Sequence, residues 1–362
     1  MPRVKVLVVD DSAFMRQAIV KMLESSEDIE VVGTARSGEE GVTRAKELDP
    51  DVITMDVEMP GIGGLEAVRL IHERSHTPII MVSALTREGA ETTFRALELG
   101  AVDFIAKPDS VYANIKDVQR DLLTKIATFG RRSTRAAPER RAPAPTPISA
   151  STQPISAWPP RAPHEFFECT AIGTSTGGPV ALSKIIAALP ATYPTPILLV
   201  QHMPLGFTRP LADRLNAQSA LHVVEAAEGM IVARGSVLVV PSGKQLELRR
   251  SFGEIVVALR DDDGSSLHVP SVDVLAAQTA MAFGACALGV ILTGMGQDGV
   301  KGLRVLKDRG GFVLGQNEAT CVVYGMPRAA AAAGLVDRVE PLERIAPALV
   351  DLTRRSFGES VR

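Results

Sequence analysis

Between Arg131 and Pro163, the prolines Pro138, Pro143, Pro145, Pro147, Pro154, Pro159, Pro160 and Pro163 alternate with Ala, Ser, Thr and Arg. A stretch of this composition buries no core and reads as an extended, semi-flexible tether. The chain must therefore fold as separate bodies: one over residues 1–128 and one over residues 166–362, with residues 129–165 as the linker. With 46% hydrophobic and 22% charged residues in 362, each side has apolar material for its own core.

The net charge of −3 argues against a general polyanion-binding role, so nucleic acid is not an expected partner. Cys169, Cys286 and Cys321 are widely spaced with no CxxC pair, which predicts buried free thiols rather than a disulfide framework or a zinc site. Met1-Pro2-Arg3-Val4-Lys5 runs straight into a strand without an apolar signal segment. No apolar run is long enough to cross a bilayer, so a cytoplasmic location without membrane insertion is expected.

In the N-terminal half, apolar runs at Val4–Val9, Ile29–Val32, Val52–Met55, Ile79–Val82 and Asp103–Ala106 alternate with stretches of helical period, such as Ala13–Leu23. Short apolar strands separated by helices predict a doubly wound parallel sheet, whose ligands bind beyond the carboxyl ends of its strands. Those ends carry Asp10 and Asp11, Asp56, Ser83 and Lys107. Hard oxygen ligands suit Mg2+, which would bridge Asp56 to an incoming phosphoryl group while Lys107 and Ser83 bind its outer oxygens. Taken singly, a strand-end Asp is a solvated turn residue, Lys107 a surface charge and Phe104 a core side chain. The set at four strand ends favours a phosphoacceptor pocket.

This half resembles the receiver domains of two-component response regulators, on Asp10-Asp11, Asp56 with Met59-Pro60-Gly61, Ser83-Ala84 and Lys107-Pro108. The resemblance implies phosphotransfer from a partner histidine kinase to Asp56, with Mg2+ held by Asp10, Asp11 and Asp56. It also implies a rearrangement at Ser83 and Phe104, although Phe104 lacks the hydroxyl an aromatic could carry there.

In the C-terminal half, strands are expected at Cys169–Gly173, Ile197–Val200, Leu221–Val224, Val237–Val240, Cys286–Leu292 and Phe312–Leu314. Helices are expected over 179–189, 207–218, 271–283 and 299–308, with a hairpin from Gln245 to Arg260. This predicts a second, mainly parallel α/β sheet. Gly173-Thr174-Ser175-Thr176-Gly177-Gly178 exposes Ser175 where a strand meets a helix. Glycines there allow close backbone approach, and the helix N-terminus favours developing negative charge; a helix-capping serine or a phosphate-cradling loop fits the same pattern.

Serine needs a base to take its proton. His202 follows one apolar strand and Asp298 follows the turn Thr293-Gly294-Met295-Gly296-Gln297, so the three side chains can meet at one sheet edge as a Ser-His-Asp triad. Their chain order differs from that of α/β-hydrolases, so that fold is not implied. Read separately, His202 fits a core histidine and Asp298 a helix N-cap beside Gly299.

The half resembles the catalytic domain of the chemotaxis protein-glutamate methylesterase family. The matching segments are Ile172 to Pro179, Gln201-His202-Met203-Pro204, Pro270-Ser271-Val272-Asp273, Thr293 to Gly299 and Tyr324-Gly325-Met326-Pro327. The resemblance puts the family's triad on Ser175, His202 and Asp298, with the Met295 N–H as oxyanion donor assisted by Thr176. It implies hydrolysis of glutamate γ-methyl esters on methyl-accepting chemoreceptors, deamidation of receptor glutamines, and no cofactor for either. Val269 stands where the family often has Arg, and Gln297 where it commonly has Ala. A non-enzymatic output module and a general small-molecule esterase are the competing readings; ester turnover by the C-terminal half separates the first, and relative turnover of soluble esters the second.

Overall fold

In the computed structural model, which describes residues 3–84, 86–107, 115–133, 166–264 and 266–354, the chain forms two units. The N-terminal unit alternates β1 (Val4–Val9), α1 (Ala13–Glu24), β2 (Ile29–Ala35), α2 (Gly38–Leu48), β3 (Val52–Asp56), α3 (Gly63–Arg74), β4 (Ile79–Ser83), α4 (Arg87–Glu98), β5 (Asp103–Ala106) and α5 (Ile115–Ser133). Its strands lie in the order β2-β1-β3-β4-β5, all parallel. Helices cover both faces of such a sheet, and β3 and β4 are accordingly buried at every position. Ser12, Ser37 and Thr86 start α1, α2 and α4 by accepting from the N–H groups of Met15, Glu40 and Gly89. The order reverses between β1 and β3, which puts the binding crevice at their carboxyl ends. The expected doubly wound sheet is thus present. Helix α5 runs through Ser133, beyond the residue-128 boundary read from composition. Pro108 and the linker prolines lie outside the described residues.

The C-terminal unit runs β6 (Cys169–Thr174), α6 (Gly178–Ala188), β7 (Ile197–Gln201), α7 (Thr208–Gln218), β8 (His222–Glu225), β9 (Ser236–Val239), β10 (Gln245–Ser251), β11 (Glu254–Arg260), α8 (Val272–Phe283), β12 (Ala287–Ile291), α9 (Val300–Asp308), β13 (Phe312–Gln316), α10 (Met326–Ala332), β14 (Arg338–Glu340) and α11 (Leu342–Arg354). Seven strands form one parallel sheet in the order β14-β13-β12-β6-β7-β9-β8. The expected hairpin, β10 with β11, stands apart as an antiparallel pair turning at Phe252 and Gly253. The chain leaves β6 toward β7 on one side and returns to β12 on the other. The switch point therefore lies where β6, β7 and β12 end.

Among the described residues, β14, α10, α11 and the 3-10 turn Glu318–Thr320 were not expected from the sequence. Cys286 closes a 3-10 turn over Gly284–Cys286 instead of opening a strand, because β12 begins at Ala287. The cysteines are free, as expected, but only Cys169 and Cys321 are buried; Cys286 is partly exposed. No described helix is long and apolar enough to cross a membrane.

Candidate active site and phosphoacceptor pocket

The N-terminal crevice gathers the residues read at the strand ends. Asp10 and Asp56 are fully buried and Asp11 is exposed, yet carboxylate oxygens of all three lie within 4.8 Å of one another. Lys107 Nζ donates to Asp56 Oδ2 at 2.9 Å and stands 4.0 Å from Asp10 Oδ2. Burial pushes the Asp10 carboxyl up to about 6, reinforced by the charge of Asp56 and opposed by Lys107. Burial likewise raises Asp56, against the hydrogen bond and charge of Lys107. Asp10 Oδ2 is buried without a hydrogen-bond partner. An oxygen-only donor set that keeps one buried anionic atom unsatisfied fits a hard divalent cation such as Mg2+.

The Lys107 N–H donates to the Ser83 carbonyl at 2.8 Å, which sets the end of β4 beside that of β5. Ser83 Oγ donates toward the carbonyls of Ala84 and Gly89, both at 3.2 Å, beside the start of α4. Phe104 is only 3% exposed and packs edge-to-face on Phe94. Lys125 donates to the Phe104 carbonyl and pairs with Asp103 and Asp121, which ties the end of the sheet to α5.

On the C-terminal crest, Ser175 follows β6, His202 follows β7 and Asp298 follows β12. The Ser175 N–H donates to the Thr293 carbonyl and the His202 N–H to the Thr174 carbonyl, so ladder bonds continue past the strands and hold the three loops side by side. His202 Nε2 meets Asp298 Oδ2 at 2.7 Å. Because the carboxylate can only accept, Nε2 is the donor in this bond, and in a neutral ring Nδ1 is the nitrogen that carries the lone pair. That Nδ1 is buried and has no partner, and no hydrogen bond links it to the half-buried Ser175. Gly177 opens α6 at φ 78°, a left-handed turn that lets the helix start immediately after the serine.

Asp298 is heavily solvated by protein. Besides His202, its oxygens accept from Val272 N–H at 2.7 Å, Ser271 Oγ at 2.9 Å, and the N–H groups of Asp273 and Gly299 at 3.1 Å. Burial by itself would raise this carboxyl, but the His202 bond and charge and the N–H groups of α8 hold it well below the usual carboxylate range. Asp298 is not the N-cap of α9; that position is Gly299, and the Asp273 carboxylate serves the helix end by accepting from Gly299 and Gly302.

The Met295 N–H donates to no carbonyl among the described residues, while its neighbour Gly294 is fixed on both sides by Val323, Gly325 and Met326. Thr176 is buried and its carbonyl accepts from Thr293 Oγ1 at 2.9 Å.

Sequence reasoning missed a second tier beneath this crest. Thr174 Oγ1 donates to the Thr293 carbonyl at 2.8 Å, Gln316 accepts from Thr293 N–H at 2.9 Å, and Gln201 donates to the carbonyls of Ser175 and His202. His268 stacks on the His202 ring with centroids 4.1 Å apart. Polar residues in the final positions of apolar strands, Thr174, Gln201 and Gln316, were the available signal.

The fold and the crest together define a receiver-coupled serine hydrolase. Residues 6–116 match the response regulator receiver domain and residues 170–349 the CheB methylesterase. The chain is 43% identical to protein-glutamate methylesterase/protein-glutamine glutaminase 1 of Oleidesulfovibrio alaskensis, covering 96% of this chain and 99% of the relative. It is 42% identical to the protein of that name in Archaeoglobus fulgidus, over 98% and 99%. The crystal structure of the Thermotoga maritima CheB methylesterase catalytic domain aligns with a TM-score of 0.51 at 40% identity, over 52% of this chain and 99% of that one. The chain belongs to the protein-glutamate methylesterase/protein-glutamine glutaminase family.

Proposed function

We propose that the C-terminal unit hydrolyses glutamate γ-methyl esters on chemoreceptors under control of phosphorylation at Asp56. The observation that carries this reading is the pairing of His202 Nε2 with an ionised, protein-solvated Asp298, which leaves Nδ1 as an unpaired base beside the Ser175 turn. Ser175 Oγ attacks the ester carbonyl as its proton passes to His202 Nδ1. Asp298 orients the ring and stabilises the imidazolium without taking the proton. The tetrahedral oxyanion is met by the Met295 N–H, with Thr176 and the N-terminus of α6 alongside. Collapse returns the proton to the departing methoxide, releasing methanol. Water then repeats the sequence and frees the glutamate carboxylate. The same acyl chemistry deamidates glutamine with ammonia leaving, and the names of the relatives support it.

In the receiver, Asp10, Asp11 and Asp56 would hold Mg2+, which supplies charge neutralisation for phosphoryl transfer. Asp56 is the acceptor for a phosphoryl group from a histidine kinase. Lys107 stands ready to bind a phosphoryl oxygen, and Ser83 reaches it by exchanging its carbonyl partners for that oxygen. Phe104, already inside, reports this movement through packing alone.

The test is methanol release from methyl-labelled receptor with and without a phosphodonor. Release that is abolished by Ser175→Ala and stimulated through Asp56 supports the reading. A folded Ser175→Ala protein with wild-type release removes it.

A further inference from the structure

We propose that Gln201 is a positioning residue for this hydrolysis: its carboxamide holds the backbones of the nucleophile and of the base at one separation. The inference rests on the ester-hydrolase reading above.

Gln201 is the last residue of β7 and 2% exposed. Its Nε2 donates to the carbonyls of Ser175 and His202, both at 2.8 Å, so one group spans two loops that follow different strands. The amide is not needed to satisfy the serine carbonyl, which already accepts from the Gly178 N–H at 2.8 Å. Its own Oε1 is buried with no partner. A turned amide would set that oxygen against two carbonyl oxygens, so the two donations fix its direction. The oxygen is instead pressed on the start of α6, where a Cβ at Gly178 would come within 1.9 Å of it.

An apolar side chain of the same length would fill this space without leaving a buried acceptor orphaned. What the glutamine supplies is therefore the pair of donated bonds. Both end on residues whose side chains must be aligned for proton transfer, where a misplacement of about 1 Å costs on the order of 10²-fold. Backbone bonds tie the Ser175 N–H to Thr293 and the His202 N–H to Thr174; the Gln201 amide adds a link between the carbonyls of Ser175 and His202.

The decisive substitutions are Gln201→Glu and Gln201→Met in the full-length chain. The readout is Ser175 labelling by a fluorophosphonate, which needs no receptor. The Ser175 Oγ–P bond forms as P–F breaks, fluoride leaves and the serine proton passes to His202. At pH 8 a Gln201→Glu carboxylate repels both carbonyls, and the limiting labelling rate should fall about 30-fold, with the half-saturating probe concentration unchanged. A carboxyl so placed has a raised pKa, regains one donor on protonation, and should close the gap to about 3-fold at pH 5. Each variant is compared with wild type at the same pH. Gln201→Met should be slowed by a ratio that does not vary with pH.

Wild-type labelling by both folded variants, or a pH-independent ratio for Gln201→Glu, overturns the proposal. Loss of cooperative unfolding in both variants also overturns it, since Gln201 would then serve the fold alone. Labelling that survives Ser175→Ala, or its absence in wild type, breaks the nucleophile assignment instead.

Discussion

Two parallel sheets in this molecule end in acidic crests, and they treat their carboxylates in opposite ways. In the receiver, Asp10 is buried with one oxygen unpartnered and its carboxyl raised to about 6. In the hydrolase, Asp298 is almost as deeply buried but accepts from His202, Ser271 and three backbone N–H groups, and its carboxyl is held low. Burial acts the same way on both, so the supply of donors decides the sign. The first crest is left short of positive charge, which an incoming cation can provide. The second carries its stabilising dipoles permanently, so the proposed proton transfer would require no reorganisation around Asp298.

The comparison can be broken most sharply at the serine. Ser175→Ala should lower methanol release by about 10⁵-fold while Asp56 phosphorylation proceeds at its normal rate, since the two chemistries use different crests. A parallel loss of phosphorylation, followed with a labelled phosphodonor, would mean that the substitution damages more than the hydrolase.

Replacing Asp298 tests whether its donor shell acts through the histidine. Asp298→Asn should reduce kcat by about 10⁴-fold, because an amide cannot hold the Nε2–H tautomer or balance the imidazolium. Steady-state hydrolysis with KM nearly unchanged is the expected pattern.

Asp10→Asn should reveal the opposite sign. A carboxyl raised on folding binds its proton more tightly in the native state, so the metal-free fold loses stability as pH rises from about 4 to about 6. Asp10→Asn removes that penalty and should stabilise the metal-free protein at pH 8 by up to about 3 kcal/mol, with little effect at pH 4. Saturating Mg2+ should reverse the advantage in favour of Asp10. Chemical denaturation followed on the receiver transition checks both arms, and an Asn variant whose advantage over wild type is no larger at pH 8 than at pH 4 would contradict the charge-deficient description.

The smallest effect is expected at His268. His268→Ala removes the stacked face and should lower kcat about 3- to 10-fold, whereas His268→Phe keeps a ring and should stay closer to wild type. Equal losses in the two variants would show that the imidazole nitrogens of His268, rather than its ring face, support His202.

Much of the candidate chemistry was legible because it lies at strand ends. An apolar run announces its own termination, and in a parallel α/β sheet the residue just past that point is at the binding edge. Asp10, Asp56, Lys107, Ser175 and His202 could each be placed by this rule alone. The same rule failed for β14, whose Arg338-Val339-Glu340 contains one apolar residue, and for the short alanine-rich α10, where no amphipathic period develops. The alternative reading of Asp298 as a cap for α9 came from its place beside Gly299 in the chain, whereas the carboxylate that accepts from Gly299 and Gly302, Asp273, comes from a different helix.

The sequence by itself determined two α/β bodies, a proline-rich segment between them, and the residue types at each strand end, since periodicity and turn chemistry are local. Tertiary structure decided which nitrogen of His202 faces Asp298, which helix N-terminus stabilises that carboxylate, and that Gln201 grips Ser175 and His202 together. Each of those facts joins residues from separate loops, such as Val272 to Asp298 or Thr174 to Thr293. Strand order and helix placement set such distances, and neither is written in the local pattern that made the strand ends readable.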